Sequence, residues 1–168
     1  MSQINVLILM GSGSDAPIMQ SAVDVLRELG IASEMTVASA HRSPERVMRL
    51  VREAPGRGVK VVIVGAGAAA HLAGVVAAHT TMPVIGVPID SSALKGLDAL
   101  LSTVQMPPGV PVATVSIGKP GATNAGILAA QILAVGDPGV SARLDAHKKA
   151  MAQKVEQAAE RLRTAAGG

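Results

Sequence analysis

The sequence predicts an α/β fold: a three-layer α/β/α sandwich on a parallel sheet, followed by one further helix. Three observations predict it. Short apolar runs alternate with segments of helical period, and several of those runs are apolar almost throughout. The segments between them are long enough for the crossover helices that parallel strands require. Strands covered by helices on both faces lose the in–out alternation of a half-exposed sheet, so a continuous apolar run is what such a strand looks like. With 168 residues, 49% hydrophobic and 16% charged, the chain has material for one domain with a substantial core. It contains no Phe, Trp or Tyr, so that core is built from Val, Ile, Leu, Met and Ala.

The elements follow in order. "INVLILM" (4–10) reads as the first strand. Asp15 is placed to cap a helix over 16–29, with Pro17 in its first turn and Gly30 at its end. "SEMTV" (33–37) is the second strand, and Ser43-Pro44-Glu45 opens a helix over 44–54. "KVVIVG" (60–65), a helix at 69–79, "PVIGVP" (83–88), a helix at 92–101, "PVATVSI" (111–117) and a helix at 122–135 complete the alternation. The segment "NAGILAAQILAV" (124–135) is apolar nearly all round, the pattern of a helix buried on every side, which in so short a chain points to an oligomer.

Residues 1–140 form one α/β unit and 141–168 a basic helix. The first stretch carries nine Lys/Arg and nine Asp/Glu; the second carries six and three, so the tail holds the whole net charge of +3. Leu144, Met151, Val155, Ala158 and Leu162 make one stripe on the tail helix, which packs either on its own unit or on a neighbouring subunit.

Composition also excludes functions. Without Cys there are no disulfides, thiol nucleophiles or thiolate metal sites, and no histidine pair has a metal-binding spacing. Nucleic-acid binding is disfavoured despite the high pI, because no aromatic ring is present for bases to stack on. No apolar run is long enough for a membrane helix, and the first residues lack a signal peptide's basic region and cleavage site, so a cytoplasmic protein is expected.

In an open parallel sheet, ligands bind beyond the carboxyl ends of the strands. Three loops qualify. "GSGSD" (11–15) offers free amides, the Ser12 and Ser14 hydroxyls and a helix N-terminus to an anion, although a Gly/Ser loop is also an ordinary turn. It is not a P-loop, since no Gly-Lys-Ser/Thr follows. "SAHRSP" (39–44) sets His41, whose imidazole can donate or accept a proton, beside Arg42, whose guanidinium suits a phosphate or carboxylate. "GAGAAAHLAG" (65–74) contains G-x-G-x-x-A between a strand and a helix, with Asp90 about twenty residues on, the layout of a dinucleotide site. Its mid-chain position argues against that reading; small residues for close helix–strand packing explain it equally. His71, at that helix start, is placed to line the same cleft, whereas His79 and His147 lie in helical patterns.

Taken together, "MGSGSD", "SAHRSP", "GAGAAAHLAG", "PVIGVP" and "STVQMPPGVPVATVSIGKPGATNAGILAAQIL" resemble the PurE family of purine biosynthesis, in order over about residues 4 to 146. The resemblance is strongest to its bacterial mutase branch. It implies a flavodoxin-like sheet, a homo-octamer with active sites between subunits, and a reaction needing no metal, ATP or redox cofactor. The implied substrate is a ribonucleotide, N5-carboxyaminoimidazole ribonucleotide, whose carboxyl group moves from nitrogen to ring carbon while a histidine shuttles protons. That histidine falls on His41. Phosphate and ribose contacts fall on Ser12, Asp15 and Arg42, with Ser14 and Ser39 nearby, and the backbone of Ala69 to His71 matches the part that cradles a carboxylate. The family's usual "GGAAHLPG" reads "GAAAHLAG" here, with Ala68 for glycine and Ala73 for proline; Asp90, Lys95, Leu101 and Pro108 also depart from commoner choices. A direct carboxylation of aminoimidazole ribonucleotide by carbon dioxide, or a non-catalytic nucleotide-binding module, are the rival readings.

Overall fold

The structure, a computed structural model, describes residues 4–166. Five strands, β1 (Val6–Met10), β2 (Ser33–Val37), β3 (Val61–Gly67), β4 (Val84–Ile89) and β5 (Ala113–Thr114), form one parallel sheet in the order β2-β1-β3-β4-β5. That is the flavodoxin-like order, and it reverses direction between β1 and β3, where a crevice opens at the carboxyl ends. Helices α1 (Ala16–Glu28), α2 (Pro44–Glu53), α3 (Leu72–Ala77), α4 (Leu97–Val104), α5 (Gly118–Ala134) and α6 (Pro138–Ala166) connect and cover it. The expected fold class is borne out.

Strand alternation divides the core in two. Val6, Ile8 and Met10 of β1 face α1 and α5, meeting Met19, Ala22 and Leu26. Leu7 and Leu9 face the other way, onto Val47, Leu50 and Val51 of α2 and Leu72 and Val76 of α3. Each fully buried aliphatic side chain contributes about 1.5–3 kcal/mol, so the three central strands, buried along almost their whole length, are a main source of stability together with the helix faces packed on them. α2 shows why its helix forms: Val47, Leu50 and Val51 recur at helical spacing on the buried side, while Glu45, Arg49 and Arg52 face water.

Boundaries move where backbone chemistry overrides apolar pattern. α4 starts at Leu97 and not at 92, because Lys95 and Gly96 both take left-handed φ, 51° and 83°, which no α-helix passes through. β5 is two residues long instead of seven: Pro111, which opens the expected strand, has no N–H for the ladder, and only Ala113 and Thr114 pair with β4. α5 begins at Gly118, four residues early, since Pro120 falls in its first turn, where a missing N–H costs nothing.

Helix α5 is less covered than the sequence suggested, and α6 packs on its own unit only at its start. α5 lays its small residues, Gly121, Ala122, Ala125, Gly126, Ala129 and Ala130, into the molecule, mainly against α1; Asn124 and Gln131 are exposed, so it is not buried on every side. α6 begins at Pro138, capped by Asp137, whose carboxylate accepts from the Gly139 and Val140 N–H groups. Val140 and Leu144 pack on the core, and Arg143 Nε donates to Leu29 O at 2.6 Å. Beyond His147 the helix is exposed through residue 165, including Met151, Val155 and Leu162 of its expected stripe.

Candidate active site

The β1 loop is organised by hydrogen bonds among its own residues. Ser12, in extended conformation, caps a single 3₁₀ turn over Gly13–Asp15, with Ser12 Oγ accepting from Ser14 N at 3.3 Å. Asp15 reaches back, its Oδ2 accepting from Ser12 N at 3.1 Å, which completes a capping box. Asp15 therefore does not cap α1 with its side chain, as its position in the sequence suggested; it ties down the loop before that helix. Ser14 Oγ lies within hydrogen-bond reach of Ser12 Oγ, at 2.8 Å, so the two hydroxyls form one pair at the cleft.

Asp15 is 6% exposed, and burial raises its carboxyl above the ordinary value of 3.8. Hydrogen bonds from the Ser12 backbone and the Ser14 side chain, then the charge of Arg42, pull the other way but less strongly.

The β2 loop is built around Ser39 and Ser43. Ser43 N donates to Ser39 O at 2.9 Å, and Ser39 N donates to Ser43 Oγ at 3.1 Å. Pro44 opens α2 as expected, but the Ser43 hydroxyl is turned back into the loop and makes no cap bond. Arg42 bridges the two loops: Nη2 donates to Gly11 O at 2.8 Å and Nε to Ser39 Oγ at 3.4 Å. Two of its five N–H donors are thus held, fixing the guanidinium plane and leaving Nη1 uncommitted.

The β3 loop supplies the third wall. Ala70 N donates to Gly67 O at 3.0 Å, closing a turn in which Ala68 and Ala70 take φ of 49° and 23°. That turn places His71 at the start of α3, with its ring against His41. His41 Nε2 lies 2.7 Å from His71 Nδ1, and the rings meet edge to face, 4.9 Å between centroids at 83°.

These loops enclose a cleft of about 210 Å³. Ser12, Ser14, Asp15, Ser39, His41, Arg42 and His71 all line it. Ala69 does not: it is exposed, and its neighbours Ala70 and His71 reach the cleft instead. Sequence reasoning missed Ser91, which enters from the end of β4. Its Oγ occupies the space that a side chain on Gly67 would need, 1.8 Å from where a Cβ would lie. The signal was available, since β4 also ends at the sheet's carboxyl edge. Among the described residues no group of three or more His, Asp or Glu is placed to hold a metal ion, and no helix is long and apolar enough to cross a membrane.

Comparison with known proteins points one way. A family model described as AIR carboxylase matches residues 5–154. The chain is 53% identical over 155 residues to the N5-carboxyaminoimidazole ribonucleotide mutase of Bacillus subtilis, spanning 92% of this chain and 96% of that protein. It is 49% identical over 150 residues to a bifunctional purine synthesis protein of Dictyostelium discoideum, spanning 89% of this chain and 15% of the other. The crystal structure of Treponema denticola PurE matches with a TM-score of 0.84 at 30% identity, covering 94% of this chain and 97% of that one.

Proposed function

Because the chain belongs to the AIR carboxylase family, we propose that it is a mutase of de novo purine biosynthesis, converting N5-carboxyaminoimidazole ribonucleotide into 4-carboxy-5-aminoimidazole ribonucleotide. The observation that carries this reading is the meeting of His41 with Arg42 and the Ser12–Asp15 loop in one cleft. A ribonucleotide monophosphate needs donors for its phosphate, and the Ser12–Ser14 hydroxyl pair and Arg42 Nη1 supply them. Asp15 has one carboxylate oxygen engaged by Ser12 N and accepts a ribose hydroxyl on what remains.

The chemistry then needs a proton carrier and a dry pocket. The carbamate C–N bond breaks and carbon dioxide is released; the ring carbon captures it, forming the new C–C bond. The proton that leaves the ring carbon is returned to the exocyclic nitrogen, and His41 carries it. Buried Ala66, Ala70 and Leu72 line the cleft and give carbon dioxide an apolar wall. Ala70 N–H is committed to Gly67 O, so the N–H groups opening α3 are the ones left for the migrating carboxylate.

A homo-octamer and a cytoplasmic location belong to the same proposal. Leu97, Leu101 and Val104 are 52%, 49% and 47% exposed on α4, Leu94 in the preceding loop is 61% exposed, and the distal α6 stripe is also bare, which supports assembly. Sedimentation tests it: a stable, active monomer overturns it.

Direct carboxylation is the second reading, favoured by the description of the matching family model. Product analysis separates the two. Turnover of the carbamate is expected; turnover of aminoimidazole ribonucleotide with low bicarbonate, and none of the carbamate, establishes the carboxylase instead.

A further inference from the structure

We infer that His41 and His71 work as one proton-sharing couple, in which His71 both orients the His41 ring and passes its proton on. The inference rests on the mutase reading above for its substrate. It rests on the geometry for everything else.

A distance of 2.7 Å between His41 Nε2 and His71 Nδ1 has room for one hydrogen. Two bare nitrogens would oppose their lone pairs, and two protonated ones would press hydrogen against hydrogen. Each ring's tautomer therefore dictates the other's. If His41 donates, its Nδ1 is bare and His71 carries its second hydrogen on Nε2; if His71 donates, the pattern reverses. Neither outer nitrogen has a protein hydrogen-bond partner among the described residues, and both rings are exposed and line the cleft. The other charged groups of the cleft are occupied elsewhere: Arg42 is turned to Gly11 O and Ser39 Oγ, and Asp15 accepts from Ser12 N. No carboxylate orients His41, as one does in many histidine-based sites; a second imidazole stands in that place.

Such a couple has two working ends, and the proposed reaction has two atoms to serve. The ring-carbon proton enters at the bare outer nitrogen. The shared hydrogen shifts across the 2.7 Å contact, and the hydrogen on the far outer nitrogen leaves for the exocyclic nitrogen of the substrate. One proton enters and one leaves, so the couple stays neutral and ends in the opposite tautomer. Exchange with solvent at the exposed outer nitrogens resets it. A lone histidine would have to turn its ring, or the substrate would have to move, to serve both atoms.

The test uses His71→Asn and His71→Ala in the full-length protein. Asn keeps a polar atom near the Nδ1 position and so holds His41, but it relays no proton. Its kcat is expected to fall about 10²-fold, the lower end of what acid–base catalysis is worth, with a smaller change in KM. Imidazole added in solution is expected to restore part of the kcat of His71→Ala. The dependence of kcat on the deuterium content of the solvent is expected to be bowed in the parent, with two protons in flight, and linear in both variants. In the free protein, a far-downfield imidazole proton resonance is expected and is lost in both. Wild-type kcat in His71→Asn overturns the couple, as does a loss with neither imidazole rescue nor a change of curvature, or a parent without the shared resonance. A parent that shows the resonance but never converts the carbamate sinks the mutase reading and leaves the proton-sharing pair standing.

Discussion

The β1 loop and the β3 loop use their small residues in opposite ways. "GSGSD" has glycine at 11 and 13, yet neither takes a positive φ, and a side chain added at either would meet nothing within 4 Å. "GAAAH" has alanine at 68 and 70, and both are held at positive φ, where glycine is at ease and alanine is strained. The first loop keeps glycine for space, at the mouth of a cleft that Gly11 lines. The third loop accepts strain for position, since its turn delivers His71 to His41. A glycine in the sequence is therefore a poor guide to where the backbone is unusual, and ligand room and conformational freedom have to be told apart by structure.

The sharpest way to test this division of labour is between the two residues of the loop that joins these walls. His41→Asn keeps size and some hydrogen bonding but moves no proton near neutral pH; kcat is expected to fall by about two to four orders of magnitude with nucleotide still bound. Arg42→Ala removes charge-assisted bonds worth about 1.5–3 kcal/mol to an anion, so product binding is expected to weaken by roughly 10- to 150-fold. Calorimetric titration of product into both variants, beside their turnover, decides the matter. Near-parental turnover by His41→Asn removes it from the mechanism, and two similar, mild losses of stability with unchanged kinetics reduce the whole loop to scaffolding.

How much of this was legible follows from range. β1, β3 and β4 could be read because each is an apolar run whose pattern is complete within a few residues. His41 and Arg42 could be read because they are adjacent and follow a strand. The His41–His71 contact could not, since thirty residues and a whole βα unit separate the partners and no local period links them. Asp15 was found but misassigned: a carboxylate just before a helix suggests an N-cap, and only the folded loop turns it back to Ser12. The late start of α4 depends on left-handed backbone at Lys95 and Gly96, which residue type alone does not encode, whereas Ser91 was findable from its place just after β4.

Asp15 sharpens the comparison by pH. Burial, the dominant influence, raises its carboxyl above the unfolded value of 3.8, so the folded state holds this proton more tightly than the unfolded one. Its contribution to stability is then fully present below that unfolded value and is lost as pH rises through the raised folded value, after which it is level. Asp15→Asn is expected to flatten this part of the stability curve, since the amide does not titrate. Chemical denaturation from acid upward checks the sign. A parent whose stability rises across that window, with a variant that loses the rise, shows that the Ser12, Ser14 and Arg42 interactions outweigh burial.

The smallest effect addresses the two loops directly, with one exchange in each. Ala68→Gly places the permissive residue where φ is 49°, relieving about 1–2 kcal/mol of left-handed strain while adding about 0.4–1 kcal/mol of unfolded-state entropy. A net gain of about 0 to 1.6 kcal/mol is expected. Gly11→Ala does the reverse, at a position with no positive φ and no neighbour to strike. Its fold is expected to gain about 0.4–1 kcal/mol, because the substitution stiffens only the unfolded chain. Stability does not distinguish the pair, but ligand binding does. The methyl at 11 intrudes on the cleft and is expected to weaken product binding; glycine at 68 leaves the anion loop untouched and is expected to leave it unchanged. Denaturant midpoints and product titrations on both variants give the answer. If Gly11→Ala binds product as the parent does, the first loop does not keep its glycine for ligand room. If Ala68→Gly is destabilised by as much as the entropy it adds, the third loop was not strained at that residue.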